Sequence, residues 1–200
     1  MKETLLKTIN EYFKIFPDEE ERLKILKNFV SQNSYSDVTD WNNFYGHIVG
    51  SAFIYSLKED KFLALYHNDF KIFIYPGGHV DKTDLNILDA AKREVKEETG
   101  LEDYQVYNIS NNPLLPIDID IHNISYNEKL NLPEHLHFDF RYLFIIDHIV
   151  DVKTDPNEMR TYKWISINEF STNAVSKRVI DKLNKYIETF KENWNQKNII

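Results

Sequence analysis

Three glutamates, Glu94, Glu97 and Glu98, stand at i, i+3 and i+4 in the segment PGGHVDKTDLNILDAAKREVKEETGL, residues 76–101. In a helix, that spacing projects all three carboxylates from one face within a single turn. Like charges so close repel one another unless water solvates them or a cation binds among them. A solvated acidic face is the plainer reading of such a triplet on its own, and the surroundings argue for more. Gly77-Gly78 follows Pro76 and a β-rich run, and such a loop allows close backbone approach, with carbonyls or amides aimed at a ligand. Arg93, four residues before Glu97, can hold a carboxylate by a charge-assisted bond. Ala90 and Ala91 are small and leave room beside the acids. A strand, a glycine loop and a clustered carboxylate face together suit a hard divalent cation, held by oxygens and shared with substrate phosphates.

The run Arg93-Glu94-Val95-Lys96-Glu97-Glu98-Thr99-Gly100-Leu101 matches every specified position in the second half of the Nudix box, G-x5-E-x7-R-E-U-x-E-E-x-G-U, where U is a bulky apolar residue. The first half departs from that pattern. Counted from Gly78, the sixth position is Asp84 in place of glutamate, and eight residues rather than seven separate it from Arg93. With PGGHVD, a later DIDIH, HLHFDFR and a W-x-x-x-x-E-F ending, the chain resembles a subgroup of roughly 200-residue bacterial Nudix hydrolases over about residues 44–171.

The resemblance implies an α/β fold, an α/β/α sandwich with a mixed sheet. It implies metal-dependent hydrolysis, with Mg²⁺ or Mn²⁺, of a nucleoside diphosphate linked to another moiety. By the same resemblance Glu94, Glu97 and Glu98 bind metal, with the Gly78 carbonyl as a further ligand. Arg93 orients a glutamate, and Gly77 and Gly100 shape the backbone. The proton of the attacking water passes to a carboxylate, for which Glu98 is nominated, with Glu158 behind it. The altered first half motivates an alternative, a Nudix-fold module that binds a nucleotide or ADP-ribose without turnover.

The elements that must position these residues are legible as periodicities. Residues 3–15 and 18–32 carry apolar side chains at helical spacing on either side of Pro17. Together with the polar stretch 33–45 they predict a helical extension over 1–43, fitted for packing or for a homodimer, ahead of a hydrolase domain over 44–200. HIVGSAFIYSL, FLALYH and KIFIYP read as strands, the first two separated by Lys58-Glu59-Asp60-Lys61. Residues 85–99 read as a helix closed by Gly100. Strands are expected around 116–124, 136–146 and 162–165. Val175, Val179, Leu183, Ile187, Phe190 and Trp194 mark a long amphipathic C-terminal helix.

Two strands alternate unusually. In DIDIH, Asp118, Asp120 and His122 share one face, and in HLHFDFR, His135, His137, Asp139 and Arg141 do. One reading lines a substrate cleft with this face, placing Arg141 on a phosphate, His137 near the metals or leaving group, and Asp139 beside them. The other is a polar sheet face meeting water, which is favoured for His122 and His135. A separate zinc site from these histidines is a minor alternative, because no HExxH-type helical spacing supports it.

Composition bounds the rest. The chain has 200 residues, 42% hydrophobic and 28% charged, and a net charge of -8, which excludes a protein that coats nucleic acid or an anionic membrane through its overall field. An anionic small-molecule substrate stays open, since a bound cation inverts the local sign. Cysteine is absent, which removes disulfides, thiolate nucleophiles and cysteine-ligated zinc. The opening residues show no signal-peptide pattern and no apolar run has the 18 or so residues of a membrane span, so a cytoplasmic setting is expected. A purely structural role for the terminal helices is the third reading, with no specific signal behind it.

Overall fold

The computed structural model describes residues 1–128, 131–154, 156, 158–171 and 177–197. Its centre is a parallel pair. β1 (Gly46–Ser56) is buried along its whole length, and it runs in register with the twelve-residue strand His135–Ile146, from Gly46↔Leu136 to Ser56↔Ile146. Strands covered on both faces belong in the middle of a sheet. The remaining strands flank this pair: β2 (Lys61–His67), β3 (Phe73–Ile74), β4 (Gly77–His79), β5 (Gln105–Val106), β6 (Asp118–Ile124), the central partner β7, and β8 (Met159–Ile165). β2 and β4 pair antiparallel with β1, β5 and β6 with β7, and β3 and β8 with β2. The sheet is therefore mixed. The β1–β2 hairpin turns where the charged break predicts, with Asp60 in the left-handed region at φ 55°.

Alternation along the two central strands creates two cores. Ile48, Ala52 and Ile54 of β1 and Phe138, Phe140 and Phe144 of β7 face one side. There they pack against α1 (Lys2–Ile15), α2 (Lys24–Gln32), the five-residue α3 (Tyr35–Thr39) and α4 (Ile87–Thr99). Phe53, Tyr55, Leu143 and Ile145 face the other side, under α6 (Lys177–Lys197), which follows the short α5 (Ile167–Ser171). Helices on both faces of a mixed sheet make the expected α/β/α sandwich.

The helix predicted over 18–32 is divided, with a 3-10 turn at Pro17–Glu19 and regular helix only from Lys24. α3 lies inside the stretch read as a polar connection. Its start is a capping box, in which Ser34 accepts from the Asp37 N–H and the Asp37 carboxylate accepts from the Ser34 N–H. β4 and β5 are too short to leave a period in the sequence. Val175 lies outside the described residues.

The first and last helices meet across the sheet edge. Tyr12 Oη donates to Glu19 at 2.7 Å and accepts from Lys182 Nζ at 2.6 Å, across 170 positions of sequence. Lys182 also donates to Asp118 at 2.9 Å, and Arg178 bonds the same carboxylate. Arg22 donates to the Ile119 carbonyl at 2.7 Å.

Candidate functional site

α4 begins at Asn86, whose side chain accepts from the Asp89 N–H at 3.0 Å, and ends at Gly100 in the left-handed conformation, φ 71°. Ala90 and Ala91 are fully buried, so the helix lies hard against β1: a Cβ added to Gly50 would stand 2.6 Å from the Ile87 carbonyl oxygen. That contact turns the opposite edge of the helix toward Gly77 and Gly78. A Cβ on Gly78 would come within 2.5 Å of Glu94 Oε1, and the Gly77 N–H donates to Glu98 Oε2 at 3.0 Å. The glycine pair thus gives Glu94 room and gives Glu98 a donor.

The three carboxylates differ in setting. Glu98 is 3% exposed. Burial, then Glu94, then Glu158 and Glu97 push it up to about 9, against the single lowering effect of the Gly77 N–H. Glu94 is also raised, by burial first, with Glu97 and Glu158 adding to it. Glu97 keeps its side chain in solvent. Acids held above their ordinary range by burial and by neighbouring carboxylates lack compensating positive charge. The donors present are all oxygens, so the face fits a hard divalent cation.

Arg93 is the one cation in contact with this face among the described residues. Its Nη1 donates to Glu94 and Glu97, both at 2.9 Å, and its Nη2 donates to the His79 carbonyl at 2.7 Å and Asp84 at 3.1 Å. Asp84 in turn accepts from the Asp81 N–H at 2.8 Å. The shortened acid and the extra residue are absorbed in that turn, and Asp84 still reaches the arginine. Glu158, just ahead of β8, raises both Glu94 and Glu98 from outside the helix.

The alternating strands form one face as expected, yet its side chains are occupied with each other. Arg141 is 4% exposed. It donates to Asp139 at 2.8 Å, Asp120 at 2.9 Å and Asp118 at 3.3 Å, and its guanidinium lies over the Tyr75 ring. Asp139 also accepts from Ser51 and Tyr75. Expected on a substrate phosphate, Arg141 stands here as the counter-ion of three carboxylates. Burial alone would raise Asp120, but His122, Arg141 and Arg178 outweigh it and hold it below the usual carboxylate range.

His137 sits one pleat from Asp139, in a group the sequence does not announce. His47 pairs with it in the parallel β1–β7 register, and His79 enters from β4. One ring nitrogen from each of these three lies within 4.8 Å of the other two. His135 and His122 flank them, with ring centroids 5.2 and 5.5 Å from that of His137. His47 and His79 carry no local signal. Only the strand pairing, which joins residues 47 and 137, identifies them.

A NUDIX domain model matches residues 50–183. A probable DHNTP pyrophosphohydrolase of Lactococcus lactis subsp. cremoris (strain MG1363) is 27% identical over 173 residues, which are 81% of this chain and 96% of the relative. Among solved structures, a NUDIX family hydrolase from Clostridium perfringens superposes with a TM-score of 0.55 at 23% identity, covering 72% of this chain and 97% of that one. The E. coli dihydroneopterin triphosphate pyrophosphohydrolase gives 0.53 at 16% identity, covering 71% and 95%. Both structural likenesses speak for the fold, and the matched model spans the glycine pair, α4 and the sheet around them. The chain belongs to the NUDIX domain family and is a Nudix-type hydrolase.

Proposed function

We propose that the protein is a metal-dependent pyrophosphohydrolase acting on a nucleoside-diphosphate-type substrate. The carrying observation is the carboxylate face of α4, where Glu94 and Glu97 share Arg93, Glu94 stands against Gly78, and Glu98 accepts from the Gly77 N–H. In this reading Glu94, Glu97 and Glu98, with the Gly78 carbonyl, hold Mg²⁺ or Mn²⁺. When bound, the cation neutralises phosphate oxygens and makes a coordinated water more acidic. Arg93 fixes the directions of Glu94 and Glu97, and the Gly77 N–H fixes Glu98. Glu98 takes the proton of the attacking water, with Glu158 as the second acid within electrostatic reach. The water oxygen bonds to phosphorus, the anhydride P–O bond breaks, and its electron pair leaves with the departing phosphate. Of the residues on the strand face, His137 stands at the open, histidine-bearing end, while Arg141 and Asp139 lie deeper and act on substrate only by exchanging partners. A cytoplasmic setting goes with such a substrate.

The relative from Lactococcus lactis, whose name describes action on DHNTP, puts dihydroneopterin triphosphate on the substrate panel beside nucleoside diphosphate derivatives. Phosphate and pyrophosphate release should appear with Mg²⁺ or Mn²⁺ for one member of that panel and vanish with chelator. Glu97→Gln should lower kcat at least about a hundredfold without changing the melting temperature, because the side chain is 58% exposed. Near-normal turnover by that variant would remove Glu97 from the metal site. Calorimetric binding of ADP-ribose without any product would replace hydrolysis by the binding-module reading.

A further inference from the structure

Five of the seven histidines of the chain, His47, His79, His122, His135 and His137, gather at one end of the sheet, drawn from β1, β4, β6 and β7. We propose that His47, His79 and His137 form a second metal site, for a borderline transition ion such as Zn²⁺ or Co²⁺, on the opposite side of β4 from the carboxylate face. Residues 78 and 79 alternate across the strand. The missing Cβ of Gly78 points at Glu94, whereas the His79 ring points to His47 and His137, with centroids 4.9 and 5.5 Å away.

The orientation of His47 is the strongest sign. Its Nδ1 lies 3.4 Å from the Asn43 carbonyl, which can only accept, so this nitrogen carries the proton. The lone pair is then on Nε2, which is buried in a residue 1% exposed and has no hydrogen-bond partner among the described residues. A buried acceptor without a donor is costly. An imidazole whose far nitrogen is fixed on a backbone carbonyl while the near one is left free is the arrangement of a metal ligand. His135 shares the tether, its Nδ1 donating to the Pro133 carbonyl at 2.7 Å, while its Nε2 is hydrogen-bonded to His137 Nε2 at 3.3 Å. Two nitrogens about 2.05 Å from one tetrahedral zinc stand about 3.3 Å apart, which makes His135 the available fourth ligand. The three principal nitrogens, all within 4.8 Å of one another, close to that value with no more than about 1.5 Å of side-chain movement.

The donor set decides the ion. Neutral imidazoles favour zinc, cobalt, nickel or copper over magnesium, which takes oxygen ligands. Burial and the neighbouring rings lower His47, His79 and His137, His47 to about 4. An ion here would tie β4 to β1 and β7. β4 supplies the Gly77 N–H that holds Glu98 and the His79 carbonyl that holds Arg93. The site would thereby fix the frame on which the carboxylate face is set.

The test is a Co²⁺ titration of untagged, chelator-stripped protein in millimolar Mg²⁺, followed by visible absorption. One Co²⁺ per chain is expected in the wild type, with the intense ligand-field bands of a tetrahedral nitrogen site, unchanged in Glu97→Gln. His79→Ala, at an exposed position, should weaken binding about a hundredfold, and His47→Gln should do the same. If His47→Gln does not fold, His79→Ala decides. Zn²⁺ should raise the melting temperature of the wild type and not of His79→Ala. Absence of saturable Co²⁺ binding, a signal that survives His79→Ala, or one removed by Glu97→Gln would each overturn the assignment.

Discussion

Two pairs of acids, Glu94 and Glu98 on α4 and Glu19 and Asp120 at the sheet edge, are shifted in opposite directions. On α4, burial pushes Glu94 and Glu98 up, Glu97 and Glu158 add to both, and Arg93 is bonded to Glu94 but not to Glu98. At the sheet edge, burial opposes but does not prevent the lowering of Glu19, by Lys182, Tyr12 and Arg178, and of Asp120, by His122, Arg141 and Arg178. In that edge cluster Glu19, Asp118, Asp120 and Asp139 meet Arg22, Arg141, Arg178 and Lys182, four charges against four. A balanced cluster holds the fold together. An unbalanced one waits for a cation. Charge count in the folded molecule, and not acidity alone, separates the structural acids from the candidate metal ligands.

The largest effect should come from unbalancing the paired cluster. Arg141→Ala leaves three carboxylates around an empty buried position and should cost about 3–5 kcal/mol, a fall in melting temperature on the order of 10 °C. Arg141→Lys that folds normally but raises KM tenfold would break the comparison, because it would place the guanidinium on substrate.

Gly78→Ala sharpens it from the other side. The new Cβ meets only the mobile end of Glu94, so stability should stay within about 1 kcal/mol while Mg²⁺ affinity falls about tenfold. Gly50→Ala aims at the Ile87 backbone and should cost about 1–3 kcal/mol in denaturant unfolding.

The pH dependence of the metal-free protein distinguishes the clusters without touching either. Glu98 rises on folding from an ordinary 4.5 to about 9, so the native state retains a proton that the unfolded chain loses. Stability should therefore decline as pH rises through that window. Glu98→Gln should flatten the decline, and saturating Mg²⁺ should reverse it. A flat profile for the stripped wild type would mean that the carboxylate is not held protonated. The smallest effect belongs to Asp84→Asn, which keeps the turn but weakens the hold on Arg93. A loss in kcat of no more than about tenfold is expected.

The sequence discloses these regions unequally because their residues come together by different routes. Glu94, Glu97 and Glu98 meet through the helical repeat and Gly77-Gly78 lies a few residues upstream, so the carboxylate face is readable locally. α4, its closure at Gly100 and the two long central strands are legible for the same reason. The alternation of DIDIH and HLHFDFR correctly gives one polar face. What covers that face is not local: Lys182 and Arg178 arrive from the far end of the chain. His47 and His79 stay hidden because only the β1–β7 and β1–β4 pairings set them beside His137. α3 had a readable start at Ser34 and Asp37, obscured by the polar residues around it.

The bond between Tyr12 and Lys182 carries a consequence for how the molecule is made. The first helix has emerged from the ribosome long before its lysine partner is synthesised, and β1 waits likewise for β7. Contacts so distant in sequence must close large loops before they return any stability. The nascent chain can form the box helix early, but it has no sheet on which to set it. The carboxylate face thus acquires its shape late, when the last helix closes over the strands and fastens the beginning of the chain to its end.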